Sequence, residues 1–406
     1  MIAVIELQNF LAFLQPEALQ WLRRMVDINS FTTNAEGVNR VGKLTAECFA
    51  ELGFEPEFVA SEHPSHGRHL FLHRKASCGK PVLLVTHLDT VFPPEEELRH
   101  DFRWLESPSE GRIYGPGTVD IKGGTVLVWM ILRALATHAP RLFEETHWII
   151  AANAAEEVLS ADFSVRTRER CHDGARAVLV FEGGPRDGMD YQIVTARKGR
   201  AEYRITAQGK AAHAGSSHAD GVNAIVGLCE AVGTAAAMTD YGAGLTLNVG
   251  RICGGTVLNR VPHEASAELE VRAYEPSALQ GVHCALNSLV IENPHAQQAG
   301  IMVECLGTTP AWPASEQSIR LISHWTDAAS RLGLRAIATS RGGLSDANYL
   351  SGLGPILDGL GPGGANAHCS ERSPDGTKIP EYVDVGSFVP KAAMNVLALC
   401  DLLASN

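Results

Sequence analysis

Apolar residues recur along this chain in two textures, and their alternation predicts an α/β fold. Continuous apolar runs of strand length lie at residues 69–73, 81–86, 147–153 and 177–181. Such runs mark strands buried on both faces, as in a largely parallel sheet covered by helices. Between them the apolar spacing lengthens to three and four. Ala18, Leu22 and Met25 set a helix over 16–28, with Pro16 in its first turn, a second helix over 41–52 stops at Gly53, and a third is expected over 125–136. From about Tyr203 the order changes: 203–207, 245–252, 264–274 and 301–306 predict strands, 221–238 and 276–291 helices. That βαββαβ order is the ferredoxin-like arrangement. Helix returns over 315–332, a short strand follows at 336–338, and a helix over 385–403 closes the chain. The expected organisation is a sheet-based domain in two parts, 1–198 and 310–406, with a ferredoxin-like domain, 199–309, inserted between them.

Composition narrows the function classes. A chain of 406 residues exceeds one ordinary core, in keeping with two domains. Lys and Arg number 34 against 46 Asp and Glu, a net charge of -12, so nothing suggests nucleic acid or an anionic membrane surface as partner. The nine cysteines are scattered and never spaced as C-x-x-C, which indicates neither a disulfide framework nor a cysteine zinc site. The first residues lack a basic segment and soon carry Glu6, and no apolar run is expected to reach the ~20 residues of a bilayer span. A cytoplasmic protein is expected.

Candidate chemistry collects where the apolar runs end. The run 82–85 leads into T-H-L-D-T, with His87 and Asp89 two apart and so on one side of an extended chain. Such a pair suits a metal-bound imidazole backed by a carboxylate, although a structural histidine also fits. Asp120 lies in G-R-I-Y-G-P-G-T-V-D-I-K-G-G, where glycines let the backbone approach a ligand closely; it could bridge two cations or simply favour a helix N-terminus. Glu156 and Glu157 adjoin at the end of the run 147–153. Neighbouring carboxylates repel and resist burial, so they want a cation unless they form a solvated acidic turn. As strand residues they would point opposite ways, leaving one for metal and one for proton transfer. Glu182 ends the run 177–181, and His368 follows the glycine-rich stretch 361–367.

Taken in order, T-H-L-D-T, G-x-G-T-x-D-I-K-G-G, Glu156-Glu157, Glu182 and His368, with G-K-A-A-H-A-G at 209–215 and G-V-N-A-I at 221–225, resemble the dizinc peptidase and aminoacylase family of glutamate carboxypeptidase, acetylornithine deacetylase and succinyl-diaminopimelate desuccinylase. The resemblance covers nearly the whole chain and implies a zinc-peptidase-like α/β/α sandwich with an inserted dimerisation domain. It implies two zinc ions, with cobalt or manganese as alternatives: one held by His87 and Glu182, the other by Glu157 and His368, with Asp120 bridging and a cis peptide before Ile121. It further implies Glu156 as general base, Asp89 behind His87, and His213 acting in the partner subunit's site. Asn259 and Arg272 would hold a substrate carboxylate, and Gly343 and Ser345 of the turn 341–346 are expected beside them. Thr309 departs from the pattern: related glutamate carboxypeptidases have arginine there, so neutral leaving residues are expected to compete with glutamate. The stretch 369–380 is longer than the family pattern and is expected to form a loop.

The implied chemistry is hydrolysis of an amide or peptide bond to a carboxylate-bearing amino acid, by a homodimer acting on a small molecule or short peptide. An aminopeptidase or dipeptidase on the same fold, and a non-catalytic binding protein, are the competing readings.

Overall fold

The computed structural model describes residues 3–76, 79–187, 190–293 and 296–405. They form two units: Met1–Thr195 with Ala314–Ser340 and Ser345–Asn406, and Ala196–Pro313 with Arg341–Leu344. The turn Arg341–Leu344, grouped from sequence with the C-terminal part, thus belongs to the inserted unit.

The larger unit is built on a six-stranded sheet in the order Glu55–Ala60, Arg68–Arg74, Trp148–Asn153, Val82–His87, Ala177–Val180, Ile356–Leu357. The last four strands run parallel and the first two pair antiparallel. Every residue of Val82–His87 and of Trp148–Asn153 is buried, which is why both read as unbroken apolar runs. The helix Lys122–His138 packs on the sheet and against Val4–Val26 and Phe388–Ala404. In a parallel sheet the strands deliver their carboxyl ends to one edge, and the candidate residues lie there.

Two helical expectations need correction. The first helix starts at Val4 and runs through Pro16 instead of beginning there. A proline inside a helix costs about 3 kcal/mol, but Leu7, Leu11, Leu14, Ala18, Leu22 and Met25 make one buried stripe across it, and that packing prevails. The closing helix, over Val385–Ala404, is long and apolar enough by length and composition to cross a membrane, against the expectation. Its apolar window is 72% buried within the protein.

That closing helix also carries a buried cation. Lys391 is 1% exposed, and its Nζ donates to the Gly359 carbonyl at 2.8 Å. Burial pushes its pKa down to about 7, against the opposing charge of Asp358. The folded state therefore holds this proton less tightly than the unfolded chain, and stability should rise as pH climbs from about 7 toward about 10.4. Lys391→Met, which removes the buried charge at similar volume, should be most favoured relative to wild type near pH 6–7. Its advantage should shrink by roughly 1.4 kcal/mol per pH unit above that. Denaturant unfolding of both proteins at several pH values checks this; a constant difference would contradict it.

The inserted unit is ferredoxin-like. Its antiparallel sheet runs Thr246–Gly254, Glu264–Ala273, Gly199–Gln208, Gly300–Thr309, with helices Ala224–Ala236 and Pro276–Leu286. Ala201, Tyr203, Ile205 and Ala207 alternate with Arg200, Glu202, Arg204 and Thr206, and the first set joins the core with Leu228 and Leu286 from the helices. The other face is charged, with Arg204 paired to Glu268 and Glu304, and Arg272 to Glu270. Where the chain enters and leaves this unit, Arg197 and Trp312 exchange two backbone hydrogen bonds of 2.8 and 3.0 Å.

Candidate metal centre and active site

Five side chains converge at the strand ends of the larger unit. His87 closes Val82–His87, Glu182 follows Ala177–Val180, and Glu157 lies in the 3-10 turn Glu156–Val158 after Trp148–Asn153. Asp120 precedes a cis peptide to Ile121, and His368 sits in a loop with φ 67°, a left-handed conformation uncommon outside glycine. They form two groups sharing Asp120: His87, Asp120 and Glu182, and Asp120, Glu157 and His368, each with its ligand atoms within 4.8 Å of one another. Asp120 Oδ1 lies 3.0 Å from His87 Nε2 and Oδ2 3.2 Å from His368 Nε2. Glu182 Oε1 is 3.9 Å from His87 Nε2, and Glu157 Oε2 is 3.1 Å from His368 Nε2.

This donor set fits metal ions. His87 Nδ1 donates to the Asp89 carbonyl oxygen at 3.0 Å, so a neutral ring turns its Nε2 lone pair toward the carboxylate oxygens of Asp120 and Glu182. Acceptors facing acceptors require a cation between them, either a proton or a metal. The same competition appears at His368, whose pKa the Asp120 and Glu157 carboxylates raise to about 10. One imidazole nitrogen and two carboxylates per site suit zinc, and also cobalt or manganese.

Glu156 stands apart from both groups, although it is adjacent to Glu157 and only 8% exposed. Burial pushes its carboxyl well above the ordinary range, reinforced by the charges of Glu182, Asp346 and Glu157. The two glutamates were expected to diverge as strand residues, but the strand ends at Asn153 and both lie in the 3-10 turn Glu156–Val158.

The backbone of this turn is held by an arrangement the sequence did not disclose. Four consecutive amides each donate to a buried side chain: Ala154 to His69 Nδ1, Ala155 to Asn153 Oδ1, Glu156 to Asp89 Oδ1 and Glu157 to Asp89 Oδ2, at 3.0–3.3 Å. Asp89 was expected to receive the His87 ring proton on its carboxylate. Its Oδ1 lies 3.4 Å from Nδ1, and the carboxylate instead fixes the acidic pair and accepts from Thr32 Oγ1 at 2.7 Å. His69, accepting at Nδ1, carries its proton on Nε2, 3.1 Å from Asp162 Oδ2. Asn153 Nδ2 donates to Asp346, whose carboxyl burial raises to about 7. The signal for these residues was a polar side chain inside an apolar run, visible at His69 and Asn153 but without its partner.

In the inserted unit, His213 Nδ1 accepts from the Gly215 and Ser216 amides, both at 3.1 Å. Its proton is therefore on Nε2, which leaves a donor on the far side of the ring. Asn259 neighbours it through its carbonyl, which accepts from Ala214 N at 2.9 Å. Arg272 is gripped by Glu270 through Nε (2.6 Å) and Nη2 (3.1 Å), and by the Gly342 carbonyl through Nη1 (2.9 Å). The Gly343 carbonyl accepts from Arg197 Nη1 at 3.0 Å. Ser345 does not match its expected role: it is 1% exposed, donates to Asp358 and caps the helix Asp346–Leu350. Thr309 lies opposite Arg200, which in turn lies opposite Arg272 in the sheet register. The stretch 369–380 closes on itself through Glu371–Lys378 and Ser373–Asp375, and Ser370 is fastened to His100 at 2.7 Å.

A carboxylate shared between two imidazole–carboxylate pairs, with a buried glutamate at its side, is a donor set suited to a pair of metal ions. Residues 195–294 match the peptidase dimerisation domain of the M20 family. The chain is similar to carboxypeptidase G2 from Pseudomonas sp. (strain RS-16), with 27% identity over 398 residues, 96% of this chain and 90% of that protein. Its fold is similar to that of aminopeptidase PepT from Bacillus cereus, with TM-score 0.78, 21% identity, and 96% and 99% of the two chains covered. It is also similar to the fold of an M20 family metallo-carboxypeptidase from Sulfolobus solfataricus, with TM-score 0.65, 14% identity, and 95% and 99% covered. The match over 195–294 and the similarity to carboxypeptidase G2 along 96% of the chain together support a metallopeptidase, and so a hydrolase.

Proposed function

We propose that this protein hydrolyses an amide or peptide bond to an amino acid with a free carboxylate, as a carboxypeptidase or an N-acyl amino acid deacylase. The observation that carries this reading is the pairing of two sites around Asp120 with a buried glutamate, Glu156, that belongs to neither. Two divalent cations, zinc by preference, held by His87, Asp120 and Glu182 and by Asp120, Glu157 and His368, would polarise the scissile carbonyl and make water nucleophilic near neutral pH. Glu156 takes a proton from the attacking water onto its carboxylate and returns it to the nitrogen of the leaving amine. His213 of the partner subunit donates from Nε2 to the carbonyl oxygen as negative charge develops there. Arg272, its guanidinium pre-set by Glu270 and Gly342, receives the leaving residue's carboxylate, with Asn259 assisting. The domain match and the similarity to carboxypeptidase G2 support a homodimer and a substrate of this class.

A panel of N-acetyl amino acids, N-acyl aromatics and dipeptides, each with its α-carboxylate free or amidated and run beside a metal-stripped control, tests the reading. Free acids should exceed amides by roughly 30- to 150-fold in kcat/KM, the worth of one charged anchor at about 2 to 3 kcal/mol. Arg272→Ala should erase that preference. Equal turnover of free and amidated substrates would overturn the carboxylate assignment, and a preference for a free amino terminus would favour an aminopeptidase. Should glutamate prove strictly required as leaving residue, the register makes Arg200, beside Thr309, the basic residue to test.

A further inference from the structure

Glu381 lies behind the metal centre and takes no place in it. It is fully buried, immediately before the strand Tyr382–Asp384. Its Oε1 accepts from two consecutive amides, Val119 at 2.9 Å and Asp120 at 3.1 Å. Its carbonyl accepts from Gly115 N at 3.3 Å, and its own N–H donates to the Cys369 carbonyl at 2.7 Å. One residue thus fastens the Asp120 loop at two points and ties it to the residue directly after His368. The second carboxylate oxygen, Oε2, is buried and makes no hydrogen bond. A buried acid with an unmatched oxygen, set close behind another carboxylate, is costly, and general packing does not account for it. An apolar residue would fill the space but leave the Val119 and Asp120 amides unpaired, so the acid is explained by what it accepts.

We propose that Glu381 is a positioning residue that fixes the shared ligand Asp120 for both metal groups at once. By accepting the Val119 and Asp120 amides it sets the backbone from which the Asp120 carboxylate turns Oδ1 to His87 and Oδ2 to His368. Through Cys369 it keeps the His368 loop in register with the same backbone. Glu381 touches neither metal site directly, and Asp120 belongs to both, so the two sites should loosen together when Glu381 is lost. This inference rests on the proposal that the two groups hold metal.

The test is metal binding. Apo-protein is titrated with zinc against a chromophoric chelator, and visible spectra are recorded on the cobalt-loaded protein. Glu381→Leu, which keeps most of the volume and removes the acceptor, should weaken both sites by about 10- to 100-fold, the usual cost of losing a contact that orients a ligand, and should shift the cobalt bands. Glu381→Ser serves as a second variant if leucine does not fold. Glu381→Gln, whose side-chain carbonyl can still accept both amides, should restore affinity to within about threefold. Val41→Ala, a core truncation in the helix Ala35–Ala50, should lower Tm without changing metal affinity. The inference is overturned if a folded Leu or Ser variant binds both metals as wild type does, if only one site weakens, or if Gln loses as much as Leu. Wild type binding no metal would instead remove the functional reading on which it rests.

Discussion

Glu156→Gln should retain its bound metal while kcat falls by at least ~100-fold, the low end for loss of a general acid–base group. Glutamine has the shape of glutamate and cannot take a proton at neutral pH, so the substitution isolates proton transfer. Burial and three neighbouring acids already raise the Glu156 carboxyl well above the ordinary carboxylate range, which suits a group that must accept a proton and release it again. Elemental analysis of the variant beside its kinetics decides the assignment. Loss of metal would mean that Glu156 and Glu157 have exchanged roles.

The second large effect follows from the proposal that each site is completed by His213 of the partner subunit. His213→Ala should lose about 100- to 1,000-fold in kcat, as expected when one preorganised oxyanion donor is removed. Mixing that variant with Glu156→Gln should then restore activity on subunit exchange. In a heterodimer, one site combines an intact Glu156 with His213 of the partner subunit, and the other site lacks both groups. Random exchange of equal amounts makes half the dimers heterodimeric, so about a quarter of wild-type activity should return. No recovery when exchange is demonstrated by mass or fluorescence would show that His213 does not act in trans.

The candidate metal-binding set was legible as a cluster because its chemistry conflicts with its surroundings. His87 and Glu182 end strands whose every residue is apolar or buried, and a charged or ligating group there needs a reason. The two-domain order was legible because the periodicity itself changes near Tyr203. What could not be read were relations between residues far apart in the chain. Glu381 holds amides some 260 positions away, and Asp89 holds a turn nearly 70 positions on. In sequence Glu381 is one more acid, and Asp89 is read as the partner of His87 alone. Ser345 misled in the opposite direction, because a glycine-rich turn with a serine suggests a ligand pocket as readily as a helix cap. Pro16 misled because local propensity marks it as a helix start, whereas the apolar stripe that overrides it shows its worth only when packed.

The paired backbone at Arg197 and Trp312 bears on how such a protein arises. Because the chain leaves and rejoins the larger unit through two hydrogen-bonded positions, residues 196–313 are one long excursion whose ends already meet, to which the turn Arg341–Leu344 is added from a later part of the chain. No strand of the six-stranded sheet would have to be rethreaded if the excursion were exchanged for another or shortened to a turn. The crossing is a graft point. The portion with the candidate metal ligands and the portion that carries Arg272 can therefore diversify at different rates, with changes in the inserted unit leaving the strand ends of the larger unit as they are.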